Sequence, residues 1–144
     1  MAAPLQVLLV EDNEGDEEMT ERAVRDLGPA CRLSVAHDGA EALDVLMRRG
    51  KWEGAPRPDI ILLDINMPRM DGKRFLEVVK TDPELKVIPV VMLTSSQSPG
   101  DMRACYERHA NAYVVKPFDA LEFIDTVKTV LTFWGDTIKT CPTH

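Results

Sequence analysis

No run of this sequence is apolar for anything near the ~20 residues that a membrane-crossing helix needs. Its start, Met1 to Pro4, has neither the basic opening nor the apolar stretch of a secretory leader. Cysteine is scarce: Cys31, Cys105 and Cys141 are odd in number, widely spaced and without a CxxC pair. That excludes a disulfide framework and points to free thiols in a reducing compartment, with the cytoplasm as the expected location. Positive charge is also short, 17 Lys and Arg against 24 Asp and Glu, for a net charge of -7. A dedicated binder of nucleic acid or of an anionic membrane needs basic surface, so neither partner is expected. No internal repeat and no low-complexity segment is present. The remaining composition is ordinary, with 44% hydrophobic and 28% charged residues in 144. It suits a single domain large enough to bury most of its apolar surface.

Apolar runs alternate with helix-period segments along the whole chain. Leu5 to Val10 reads as a buried strand, and Gly15 to Leu27 as a helix with Met19, Ala23 and Leu27 inward, ended by Gly28-Pro29. Arg32 to Ala36 makes a second strand. Asp38 caps a helix whose expected inner face is Ala42, Leu43, Leu46 and Met47, and Lys51 to Pro58 reads as a loop. Ile60 to Leu63 is a third strand, followed by a helix from Gly72 to Thr81 with Phe75, Leu76 and Val79 inward. Ile88 to Leu93 is a fourth strand, with a helix from Pro99 to about His109. Ala112 to Val115 is a fifth, and Asp119 opens a last helix reaching about Trp134. Strongly apolar strands in this order predict a parallel α/β sheet covered on both faces. Ligands of such sheets sit at the carboxyl ends of the strands.

Those ends carry polar groups. Glu11 and Asp12 follow the first strand, Asp64 the third, Thr94 the fourth, and Lys116 and Pro117 the fifth. A carboxylate directly after the run Ile60-Ile61-Leu62-Leu63 is costly unless something pairs with it. Three acids at one edge repel one another, and a hard divalent cation such as Mg²⁺ offsets that repulsion. A carboxylate beside a metal and a lysine suits attack on phosphorus, so Asp64 is the expected phosphate acceptor, with Thr94 placed to hydrogen-bond the new group.

VEDN (Val10 to Asn13), LLDINMPRMDG (Leu62 to Gly72), LTSS (Leu93 to Ser96) and KPF (Lys116 to Phe118) resemble the receiver domain of two-component response regulators. The likeness runs from Leu5 to about Trp134, leaving a short tail, 135–144, and no output domain. It implies a flavodoxin-like, five-stranded doubly wound sheet in the order 2-1-3-4-5. It also implies phosphorylation of Asp64 by a histidine kinase or phosphotransfer protein. Mg²⁺ would lie near Glu11, Asp12, Asp64 and the backbone carbonyl of Asn66, and the Lys116-Pro117 bond would be cis. The segment from His109 to Trp134, with VEDNEGDEE, looks like the regulators paired with cyanobacterial and bacterial phytochrome kinases.

A phosphate must bias an element with two arrangements in order to signal. Thr94 is the expected sensor and Tyr113 the relay, moving inward as Thr94 shifts; the resemblance supports both roles. Output would run through protein contacts to a downstream partner that the sequence does not name. On the last helix Ile124, Val127, Leu131 and Trp134 form one stripe, while Phe123, Val130 and Phe133 form a second. An exposed second stripe would suit a homodimer.

Each residue has a plainer reading when taken alone. Asp64 and the Glu11-Asp12 pair would cap helices, Thr94 would bond local backbone, Lys116 would be a solvated charge, and Tyr113 would be core. Cys105 and His109, four apart, have no second ligand pair for zinc. Most of the acid run from Asp12 to Glu18 looks like a solvated helix start. A regulator that switches and a shuttle in a multistep relay use the same acceptor. The chain is not expected to be an enzyme beyond its own phosphorylation and dephosphorylation. An aspartate-nucleophile phosphatase would need a second acid two residues after Asp64, where Asn66 stands.

Overall fold

A computed structural model describes residues 3–137. Strands β1 (Leu5–Val10), β2 (Cys31–Ala36), β3 (Ile60–Leu63), β4 (Val90–Thr94) and β5 (Ala112–Val115) form one sheet in the order β2-β1-β3-β4-β5. Every pairing is parallel. The connections are α1 (Glu14–Leu27), α2 (Gly39–Met47), α3 (Gly72–Thr81) and α4 (Pro99–Glu107), and α5 (Ala120–Thr132) closes the fold.

Strand side chains alternate between the faces, and so build two cores from one sheet. Leu8, Val10, Ile61 and Leu63 pack with Phe75, Leu76 and Leu46 on the side of α2 and α3. Val7, Leu9, Ile60 and Leu62 pack with Ala23, Val24, Phe123 and Val127 on the side of α1 and α5. β3 is buried on both faces, which is why all four of its residues are aliphatic. Each helix starts at the carboxyl edge of the sheet with a side-chain cap: Asn13, Asp38, Asp71, Ser98 and Asp119 accept from the amides of Asp16, Glu41, Arg74, Asp101 and Glu122.

Several expectations need correction. β4 begins at Val90 rather than Ile88 because Pro89 has no N–H to give the ladder, although its carbonyl accepts from Ile61 at 3.0 Å. Met47 is exposed, and the inner face of α2 is Ala42, Val45 and Leu46; Met47 sits about 100° further round the helix. α4 ends at Glu107, and His109 lies beyond it at φ 70°, so it makes no ligand pair with the fully buried Cys105.

The second stripe on α5 is not an exposed one. Phe123 is buried beside Ile124, Val127 and Leu131, and Val130 and Trp134 are half-buried; only Phe133 stands out. α5 lies against both the sheet and α1 and sinks a broad face, wider than one stripe. A π-helical turn, Phe133–Thr137, then follows it. The larger exposed apolar side chains near this helix are Phe118 and Leu121.

Cys31 and Cys105 are free and buried, whereas Cys141 and the rest of 138–144 lie outside the described residues. Among the described residues, no helix is long and apolar enough to cross a membrane.

Candidate functional site

The backbone ladder continues one residue past the strands and sets the site. The Glu11 amide donates to the Ala36 carbonyl at 2.9 Å, the Asp64 amide to Val10 at 3.1 Å, and the Lys116 amide to Thr94 at 2.8 Å. Glu11, Asp64 and Lys116 are therefore held as firmly as strand residues while their side chains point over the sheet edge. Glu11, Asp12 and Asp64 each offer a carboxylate oxygen within 4.8 Å of the others, a donor set suited to a hard divalent cation. Glu11 and Asp64 are buried and Asp12 is exposed, so the cluster opens to solvent through Asp12.

Lys116 crosses to this cluster from β5. Its ammonium lies 2.6 Å from Glu11, 2.7 Å from Asp16 and 3.2 Å from Asp64. Burial pushes the Glu11 carboxyl up to about 7, against the pull of Lys116. Burial also works to lower Lys116, but hydrogen bonds to Asp16 and Glu11 and the charge of Asp64 raise it overall. The two shifts differ in origin, burial for Glu11 and the surrounding acids for Lys116, but both favour bound positive charge in the pocket.

Two loops shape the walls. After β3, the Ile65 amide donates to Asp64 Oδ1 at 2.8 Å, and the chain then turns so tightly that a Cβ on Gly72 would lie 2.0 Å from the Asp64 carbonyl oxygen. Only glycine fits there. Arg69, at φ 62°, ties the same loop to the start of α2 by a bidentate pair with Asp38 at 2.6 and 3.0 Å. Asn66 is exposed on this loop, two residues beyond Asp64.

Thr94 is the last residue of β4, and with Leu63 paired to Met92 it stands one residue beyond the level of Asp64. Thr94 is buried and its hydroxyl accepts from the Ser96 amide at 3.3 Å. The Ser96 hydroxyl donates to Asp101 at 2.6 Å, and Asp101 also accepts from Lys73 of α3 at 2.7 Å. The half-buried Tyr113 donates its hydroxyl to the Ser96 carbonyl at 2.8 Å.

Glu11, Asp12, Asp64 and Lys116 thus converge as expected from strand-end position, and Thr94 joins them through its backbone carbonyl, which accepts from the Lys116 amide. The Lys116-Pro117 bond does not follow expectation: the described residues contain no cis peptide, so it is trans. The trans isomer of an X–Pro bond is favoured by about 0.5–1 kcal/mol, and with it Lys116 already reaches all of its partners. Asp16 stands in the acid run that reads as a solvated helix start, yet it joins the buried lysine from the first turn of α1. Asp101, Lys73 and Arg69 carry no signal in the sequence either, since they act from helices and a loop.

A doubly wound sheet with a metal-suited acid cluster, a lysine and a hydroxyl at its carboxyl edge defines a CheY-like receiver. The sequence model of the response regulator receiver domain matches residues 7–128, and the chain belongs to that family. Response regulator Rcp1 of Synechocystis is 36% identical over 135 residues, covering 94% of this chain and 92% of the relative. The phosphorylated cyanobacterial phytochrome response regulator RcpA superposes with a TM-score of 0.93 at 35% identity, covering 97% of this chain and all of that one. The Mn(2+)-bound form of Rcp1 gives 0.90 at 35% identity, covering 96% and 100%. The chain is a response regulator receiver, a domain that works by accepting a phosphoryl group.

Proposed function

We propose that Asp64 is the phosphoacceptor and that the donor is a histidine kinase of the phytochrome class, acting in the cytoplasm. In the transfer, a carboxylate oxygen of Asp64 attacks phosphorus, an O–P bond forms, and the P–N bond to the kinase imidazole breaks, its electron pair returning to nitrogen. Glu11, Asp12, Asp64 and the carbonyl of Asn66 would hold Mg²⁺, which when bound neutralises charge on the phosphoryl oxygens. Lys116 shares that task from the other side. The Thr94 hydroxyl would bond the phosphoryl group, and Tyr113 would report the change through the loop that carries Ser96.

The observation that carries this reading is the meeting of the Lys116 ammonium with Asp64 and Glu11, residues 52 and 105 positions away, beside an acid cluster open to solvent. The match to RcpA, whose own description is a phosphorylated phytochrome response regulator, favours the kinase class. A phosphatase reading lacks a general acid, because Asn66 occupies its position. Self-association through the last helix would use Leu121 and Phe133, its exposed apolar side chains.

The test is incubation with a small-molecule phosphodonor, with and without Mg²⁺, read by intact mass. Wild type should gain one phosphoryl group only with the metal, and Asp64→Asn should gain none. Modification of Asp64→Asn at the wild-type rate would remove the assignment. Elution volume in the same samples reports association.

A further inference from the structure

The Lys116 ammonium has three protons to give, and three carboxylates take them. The two shorter contacts go to Glu11 at 2.6 Å and Asp16 at 2.7 Å; Asp64 receives the longest, 3.2 Å. Asp16 stands apart from the others. It does not belong to the cluster of Glu11, Asp12 and Asp64 that can share a metal. It comes from α1 rather than from a strand end, and its place is fixed because its amide donates to the Asn13 cap at 2.9 Å. Its side chain is about one-fifth exposed while that of Lys116 is almost wholly buried.

We propose that Asp16 is a positioning residue for Lys116: it holds the ammonium on the α1 side and so limits how strongly the lysine engages a phosphoryl group on Asp64. This rests on Asp64 being the phosphoacceptor. A phosphoryl group on Asp64 takes over the longest of the three bonds, and the ammonium can close on it, or give it a second proton, only by loosening one of the other two. The bond to Glu11 is buried and the bond to Asp64 is replaced by the phosphoryl group itself. Asp16, the most exposed of the three carboxylates, is the partner whose release costs least. Its strength therefore sets the balance between lysine on α1 and lysine on phosphate.

Beryllium fluoride with Mg²⁺ mimics the phosphoryl group without turnover, so affinity is read directly, by fluorescence or calorimetry. Asp16→Asn keeps size and removes the competing charge; it should bind the mimic about three- to tenfold more tightly than wild type, the range for a partly buried charge-assisted contact. Asp16→Glu, which keeps the charge, should stay close to wild type. Glu14→Gln removes a charge from the same helix turn at an exposed position and should leave affinity unchanged. Unchanged or weaker binding by Asp16→Asn overturns the proposal, as does an equal gain in Glu14→Gln, which would mean simple relief of repulsion. A purely structural role for Asp16 would lower the melting temperature of Asp16→Asn without any gain in affinity. Failure of wild type to bind the mimic, or binding that survives in Asp64→Asn, would instead remove the phosphoacceptor assignment and this proposal with it.

Discussion

The Tyr113 hydroxyl donates to the Ser96 carbonyl at 2.8 Å, joining β5 to the loop that leaves β4. The same loop is held from its other side by Asp101, which also binds Lys73. The ring of Tyr113 lies tilted against Tyr106 at 6.5 Å, so its position reports on both α4 and the loop. Burial raises the Tyr113 phenol above its ordinary range, which keeps it a donor at neutral pH. Tyr113→Phe removes one hydrogen bond and keeps the packing. It should cost about 0.5–1.5 kcal/mol in urea unfolding and should broaden amide signals of Ser95 to Ser98. A variant as stable as wild type with an unaltered loop would show that the bond holds nothing.

Gly72 is required by its neighbour rather than by its own backbone angle. A side chain there would collide with the carbonyl of Asp64 itself, at 2.0 Å. Gly72→Ala must push either the loop or α3 away, at about 1–3 kcal/mol of stability. Because the carbonyl that moves belongs to the acceptor residue, phosphorylation by a small donor should slow more than tenfold, whereas Gly54→Ala, strained at φ 82° but in the loop before β3 at the opposite end of that strand, should leave the rate unchanged. Equal rates in wild type and Gly72→Ala would mean that the loop adapts.

The pair between Arg69 and Asp38 makes a pH prediction. Burial works to raise the Asp38 carboxyl, but hydrogen bonds from Arg69 and from the amides of Glu41 and Ala40 outweigh it and hold the group below its ordinary range. A lowered carboxyl in the folded state stabilises the fold above the unfolded value of about 3.9 and loses that contribution as pH falls through the folded value. Asp38→Asn keeps a good helix cap and removes the charge. Its melting temperature should lie below that of wild type at pH 7, and the gap should narrow as pH falls below the ordinary carboxylate range of about 4. A gap of constant size would assign the effect to packing.

The acid cluster predicts metal dependence. Glu11→Gln and Asp12→Asn should each weaken Mg²⁺ binding at least about tenfold by calorimetry, since each removes a charged ligand atom. Glu18→Gln, exposed on α1 and outside that cluster, should bind as wild type does. Removing metal with a chelator should abolish phosphorylation of wild type and leave its fold intact, because both cores form from apolar side chains without it.

Much of this architecture can be followed from single segments. Four aliphatics in a row at Ile60 to Leu63 leave a strand little choice but the middle of a parallel sheet. Asp38, Asp71, Ser98 and Asp119 mark helix starts through a local bond three residues long. The acids and the lysine of the site were legible for the same reason: each follows an apolar strand, and every strand of a parallel sheet ends at one edge. Other details were not. Which side of α5 is buried depends on α1 lying against it, so Phe123 could be assigned to an exposed stripe from spacing alone and yet be buried.

The succession of strands and helices and the placing of Glu11, Asp12 and Asp64 at one sheet edge follow from local patterns, because burial and alternation act on neighbours in the chain; the strand order was implied by the family resemblance alone. The tertiary structure alone decided that Asp16 would share Lys116, that Asp101 would bridge Ser96 and Lys73, and that Arg69 would clasp Asp38. Those contacts join charged side chains across separate elements. Their partners are chosen by distance and by the exclusion of water, neither of which is written in the spacing of residues along the chain.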